Sequence, residues 1–281
     1  MRGTERSEDG LEGPSGGRTL PRRRRIPANG AHTAAGGIAL TRQATIGRRV
    51  VAELVATALL LATVVGSGIM AERLAGGNVA IALLANTLAT GAGLVALILT
   101  FGPTSGAQMN PAVTLADAAV GGLAWRDVLP YLAAQITGAY LGVAVAHGMF
   151  ELPVFTASRH VRAGPAQLLG EFVASFGLLS VIWGVARRRS AAVPFAVGAW
   201  ITAAYWCTSS TSFANPAVTL ARAATDTFAG IRPADTPAFI VAQLLGAAAS
   251  TLLFRWLVPA LPEIAPDVTV PHAAPPIRRS P

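Results

Sequence analysis

Charge is scarce in this chain, and one kind of charge is missing. Only 13% of its 281 residues are Asp, Glu, Lys or Arg, about half the share of an ordinary soluble domain, which excludes a water-soluble globule. Lysine is absent, so all 22 basic residues are arginine. A single cysteine, Cys207, excludes an intrachain disulfide framework and a cysteine-built metal site. Late in an apolar run, Cys207 reads as a small core residue. No stretch has the pattern of a nucleotide loop, a metal-ligand set or a nucleophile triad, so neither an enzyme nor a cofactor is expected.

Hydrophobic residues make up 52% of the chain and the mean hydropathy is +0.51. The net charge of +8 is unevenly placed: residues 1–49 hold ten arginines against four acids. Such a tail resembles a nucleic-acid binder locally, but the near-continuous apolar runs behind it argue against a nucleic-acid partner and for the lipid bilayer. Residues 1–47, rich in Arg, Gly, Pro and Ser, read as a disordered cytoplasmic tail, and the proline-rich residues 261–281 as a second one. The run Arg22–Arg25 reads as solvated, with contact to anionic headgroups as the alternative.

Between the tails, six stretches are long enough to cross a hydrocarbon core, which takes about 20 helical residues. They are Val50–Met70, Asn78–Phe101, Val128–Phe150, Ala166–Ala186, Ala191–Ser209 and Pro237–Val258. Two more, Pro111–Val120 and Pro216–Thr225, are too short: about ten residues of helix reach only about 15 Å. The expectation is an all-α membrane protein of six spans plus two half-helices. With the N-terminus inside, 17 arginines fall inside and five outside (Arg73, Arg159, Arg162, Arg222, Arg232), so both termini are expected in the cytoplasm of a cell-membrane protein. The Arg187–Arg189 cluster is the clearest local marker.

The two halves repeat each other. Asn110-Pro111-Ala112-Val113-Thr114-Leu115-Ala116 returns unchanged as Asn215-Pro216-Ala217-Val218-Thr219-Leu220-Ala221, 105 residues on. Ala134-Gln135 to Gly138-Ala139 returns as Ala242-Gln243 to Gly246-Ala247, and Glu53-Leu54-Val55-Ala56-Thr57 as Glu171-Phe172-Val173-Ala174-Ser175. Each half, near 48–150 and 166–258, holds three spans. Three is odd, so the second copy is inverted, which puts a pathway at the interface of the halves near the midplane.

Asn is a favoured N-cap and Pro a favoured first helical residue, so each Asn-Pro-Ala reads as the start of a half-helix. Inversion aims the two starts at each other. Each contributes roughly half a positive charge, giving a centre that holds neutral solutes with lone pairs and repels cations. Glu53 and Glu171, ionisable residues within spans, read as paired or functional.

With these motifs, and with Glu53, Thr57 and Leu60 as Glu-x3-Thr-x2-Leu, residues 50–258 resemble the major intrinsic proteins, the aquaporins and aquaglyceroporins. The resemblance implies an aquaporin-like channel domain over residues 48–260, with six helices and two re-entrant half-helices. It also implies one pore per subunit in a homotetramer, and Glu53 and Glu171 accepting hydrogen bonds from loop backbone. Counted back from the motifs as in that family, the outer filter falls on Thr90, Ala203, Ser212 and Val218. Water-passing members carry Arg where this chain has Val218, and aquaglyceroporins commonly carry Asp where it has Thr219. A filter of Thr, Ala, Ser and Val has no aromatic, His or Arg, so it is expected to be wide and to pass neutral solutes bulkier than water. The Val218 departure is similar to a bacterial subgroup associated with arsenic resistance, which implies arsenite or methylated arsenicals beside water and glycerol-like polyols.

Arg222, one turn beyond Val218, reads as a displaced positive charge at the outer vestibule, or as a partner of Asp226 or of the interface. His147 and His160 read as exposed loop residues. Gly138-x3-Gly142 and Gly246-x3-Ser250 suit close helix packing, and Trp125 and Trp256 suit interface anchoring. Two other classes remain open: a coupled secondary transporter, whose only midplane acids are Glu53 and Glu171, and a non-conducting membrane-structural protein.

Overall fold

The computed structural model describes residues 44–186 and 190–261. The expected tail before Ala44, Arg22–Arg25, the Arg187–Arg189 cluster and the tail after Leu261 lie outside the described residues. Eight α-helices follow in order: α1 (Ile46–Leu74), α2 (Val79–Ser105), α3 (Pro111–Val120), α4 (Trp125–Met149), α5 (Pro165–Ala186), α6 (Val193–Cys207), α7 (Pro216–Arg222) and α8 (Thr236–Leu257). Short 3-10 turns, Ser190–Ala192 and Pro233–Asp235, precede α6 and α8.

Five of these helices, α1, α2, α4, α5 and α8, are long and apolar enough to cross a membrane. The fifth expected span is shorter than the sequence implied. As helix α6 it has 15 residues and reaches about 22 Å. It stops at Thr208, which turns to extended backbone. The first span starts earlier than expected, at Ile46. Half-helix α3 has the expected ends, whereas α7 closes at Arg222, three residues early.

The repeat governs the packing. α1 lies against α4 and α5 against α8, while α2 crosses α6, and α3 meets α7, between the halves. The small residues noted in the sequence explain how close these approaches are. A Cβ on Gly138 would run into the Leu54 carbonyl oxygen, and one on Gly246 into that of Phe172. These are the same contact in the two copies. Outward faces keep Leu88, Leu129, Leu169 and Leu252 exposed, as do Trp125 and Trp256 near helix ends, a surface suited to hydrocarbon rather than water.

Two minor expectations are corrected. Cys207 is exposed, not in the core. His147 is buried, because the chain after α4 folds back over it: its ring bonds the Pro153 carbonyl, and Nε2 lies 2.7 Å from Thr225 Oγ1. His160 is exposed, as expected.

Candidate functional site

The two Asn-Pro-Ala triplets meet. Asn110 and Asn215 are the N-caps of α3 and α7, each with extended backbone and proline at the first helical position. Asn110 Oδ1 accepts from the Ala112 amide at 2.9 Å, and Asn215 Oδ1 from the Ala217 and Val218 amides at 3.0 and 3.3 Å. Each side chain also reaches into the other half. Asn110 Nδ2 donates to the Ala214 carbonyl at 2.8 Å, and Asn215 Nδ2 to the Met109 carbonyl at 2.7 Å. An amide nitrogen carries two N–H groups, and this reciprocal arrangement uses one from each asparagine.

The chain before each cap is held in a costly conformation. Ala107 and Met109 have φ of 45° and 49°, and their counterparts 105 residues later, Ser212 and Ala214, have 51° and 49°. Left-handed backbone costs a side-chain-bearing residue roughly 1–2 kcal/mol, so something must hold it. The buried glutamates do. Glu53 Oε1 accepts from Ser105 Oγ and the Gln108 amide, and Oε2 from the Met109 amide and Gln135 Nε2, all within 2.9 Å. Glu171 accepts from the Phe213 and Ala214 amides and from Gln243 Nε2. Gln135 and Gln243 then donate to Thr114 and Thr219 of the half-helices at 2.9 and 2.8 Å. The sequence contained the signal for these glutamines, since both lie in the second repeated segment.

One cavity of about 460 Å³ runs past both asparagines. Its wall includes Leu60, Val64 and Leu178 of the inner bundle and, from the filter positions, Thr90, Ser212 and Val218. Ala203 does not line it; that residue is exposed on the outer face of α6. Counting back without a gap was at fault. Helix α6 turns Val197, Ile201 and Tyr205 inward at four-residue steps, and Tyr205 bonds Thr90 Oγ1 across the α2–α6 crossing at 3.3 Å. The lining therefore contains an aromatic and an arginine, contrary to the expected set: Tyr205 and Arg222 both line the cavity, together with Phe213.

Arg222 neither reaches the interface nor pairs with Asp226. It is 2% exposed, its Nε donates to the Ala229 carbonyl, and its guanidinium carbon stands 3.4 Å from the centre of the Phe213 ring. Asp226 is taken by Arg159, whose backbone amide and side chain both bond it at 2.9 Å and hold its carboxyl below the usual range. Sequence reasoning missed Arg162, which nothing but its charge marks within an irregular loop. It ties that loop to the carbonyls of Gly230 and Ser210, and its guanidinium carbon is 5.0 Å from the same Phe213 ring. Burial pushes it below the ordinary arginine range.

Comparison with known proteins agrees with this architecture. A sequence model of the major intrinsic protein family matches residues 40–194 and 188–274. The chain is 55% identical over 229 residues to aquaglyceroporin AqpS of Rhizobium meliloti (strain 1021), a match covering 81% of this chain and 97% of that protein. It is 29% identical over 246 residues to the probable aquaporin AqpM of Archaeoglobus fulgidus, covering 76% and 98% respectively. The X-ray structure of the aquaglyceroporin from Plasmodium falciparum superposes with a TM-score of 0.58 at 20% identity, over 77% of this chain and 99% of that one, so the fold is shared. With family model, relative and fold in agreement, the chain belongs to the major intrinsic protein family.

Proposed function

We propose that this multi-pass membrane protein is a passive channel for small uncharged solutes: water, glycerol-like polyols and neutral metalloid acids such as arsenite. The observation that carries the reading is a single cavity lined by both asparagines, each cross-bonded to the opposite half. The name of the aquaglyceroporin above, at 55% identity, supports water and glycerol within that class.

In this reading the remaining Asn110 and Asn215 amide protons offer transient donors to a solute oxygen. Pro111 and Pro216 open the half-helices, and the Ala112 and Ala217 amides bond the asparagine caps. Glu53 and Glu171 are positioning residues that hold the Met109 and Ala214 amides, and with them the peptide segments whose carbonyls bond the opposite asparagines. Thr90, Tyr205, Ser212 and Val218 form the outer constriction. Val218 leaves space where an arginine would fill it, and Arg222 supplies a positive charge one turn away that repels cations. Arsenite fits this set because As(OH)3 is neutral and presents three hydroxyls, as glycerol does. The channel domain spans residues 48–260. It sits in the inner membrane with both termini in the cytoplasm, as the arginine distribution suggests, and assembles as a homotetramer through its exposed apolar faces.

Stopped-flow light scattering on proteoliposomes tests the proposal with a panel of water, glycerol, urea and arsenite. The expected result is bidirectional flux insensitive to ion gradients. Uptake of every solute at the rate of protein-free vesicles sinks it. Arsenite alone at that rate removes the metalloid acids from the substrate class.

A further inference from the structure

Arg222 presents more than repulsion to cations. A guanidinium has five N–H groups, and in Arg222 only Nε is bonded, to the Ala229 carbonyl. The two terminal amino groups have no hydrogen-bond partner among the described residues, although the side chain is buried and lines the cavity. No Asp or Glu lines that cavity, so Arg222 is the one charged residue on its wall among the described residues.

The nearby carboxylates are all engaged elsewhere. Glu171 holds the Phe213 and Ala214 amides, Asp226 holds Arg159, and Asp235 holds Arg232 and the Arg162 amide. A second guanidinium, that of Arg162, shares the Phe213 ring. The ring offsets part of the charge, but a buried cation with no carboxylate hydrogen-bonded to it stays costly. A second unsatisfied group stands on the same wall: Ser212 Oγ is buried without a hydrogen-bond partner.

We propose that Arg222 and Ser212 form an anion site within the cavity, which takes a small planar monovalent oxyanion of the size of nitrate and, when occupied, obstructs neutral solutes. Two parallel N–H groups match two oxygens of a planar oxyanion; the third oxygen is assigned to the Ser212 hydroxyl. The inference rests on the channel reading for its effect on flux but not for the binding itself.

The test uses the full chain in proteoliposomes. Glycerol entry is timed in sodium nitrate and in osmotically matched sodium gluconate, whose anion is too large for the site. The readout is the ratio of the two rates, whatever the basal rate. In wild type, nitrate slows entry in a saturable way, by about twofold at the concentration that half-fills the site. In Arg222→Gln the ratio is expected to return to one, and in Ser212→Ala the half-effect concentration rises. Equal rates in nitrate and gluconate through a conducting wild-type protein overturn the site, as does an Arg222→Gln protein that nitrate slows as strongly as wild type.

Nitrate-dependent thermal stabilisation of the detergent-solubilised protein is the second measurement, and it needs no flux. A saturable rise in wild type that is absent in Arg222→Gln supports the site even if glycerol fails to pass, an outcome that would count against the channel alone. No rise in wild type counts against the site. Where Arg222→Gln does not fold, Ser212→Ala carries both measurements: an unchanged nitrate response in it overturns the Ser212 contact.

Discussion

The two halves of the molecule share a frame and differ where that frame meets the cavity. In the first half, Gln108 precedes the cap and its amide donates to Asp117 of α3 at 2.8 Å, while its carbonyl accepts from Thr114. In the second half the corresponding residues, 105 positions on, are Phe213 and Arg222. There a hydrogen bond between amide and acid has become a guanidinium lying on an aromatic ring. The charge is reversed, and so is its access: Arg222 lines the cavity, whereas Asp117 does not. Everything that shapes the backbone is kept, namely the Asn caps, the left-handed residues, the glutamate clamps and the glutamines behind them. Duplication fixed the form of the passage, and divergence at two positions gave its two sides different chemistry.

If the frame is held by its glutamates, removing either should have the largest effect. Glu53→Leu removes four buried hydrogen bonds and Glu171→Leu removes three, at about 1–3 kcal/mol for each donor left unpaired. Neither variant is expected to yield a monodisperse peak on size exclusion. Glu53→Gln and Glu171→Gln, which keep an acceptor, should be recovered with lowered melting temperatures. A well-folded Glu171→Leu would show that the second half does not depend on its clamp.

Next comes the helix packing, where the copies should behave alike. Gly138→Val and Gly246→Val each drive a side chain into a backbone carbonyl and should cost about 1–3 kcal/mol or more. Equal falls in melting temperature are expected, and a clear inequality would mean the copies bear load differently. Val218→Arg should alter only the second half: glycerol and arsenite flux fall more than water flux, and equal suppression of all three would move the selecting site elsewhere. Tyr205→Phe removes one bond, to Thr90, worth about 0.5–1.5 kcal/mol. The expected result is a slight loss of stability with a raised rate for urea, while Ala203→Phe, on the outer face, changes neither.

The smallest effect concerns pH at the loop between α4 and α5. Bonding to Arg159 holds Asp226 below its ordinary value, so that contact stabilises the folded form above the unfolded carboxylate range near pH 4. Its contribution is lost as pH falls through the lower folded value. Protection factors at residues 156–160, corrected for the intrinsic pH dependence of amide exchange, should fall there in wild type and stay constant in Asp226→Asn.

Much of this was legible in order along the chain. The inverted repeat, the two Asn-Pro starts, the buried glutamates and the close-packing glycines rest on local physics: capping chemistry, apolar run length, and the cost of a carboxylate in hydrocarbon. Only folding decided that Tyr205 rather than Ala203 faces the cavity, because that choice depends on the phase of α6 and on the length of the Thr208–Ala214 connection. Only folding decided that Arg222 lies on Phe213 while Asp226 turns to Arg159, and that His147 is covered by the chain that follows it. Those partners come from separate loops, and no spacing within one helix encodes which of them arrives first. The sequence thus determined where the chain breaks and how its halves oppose. Which side chains share the resulting space was settled by long-range packing, since helix rotation and loop closure set distances that local pattern does not contain.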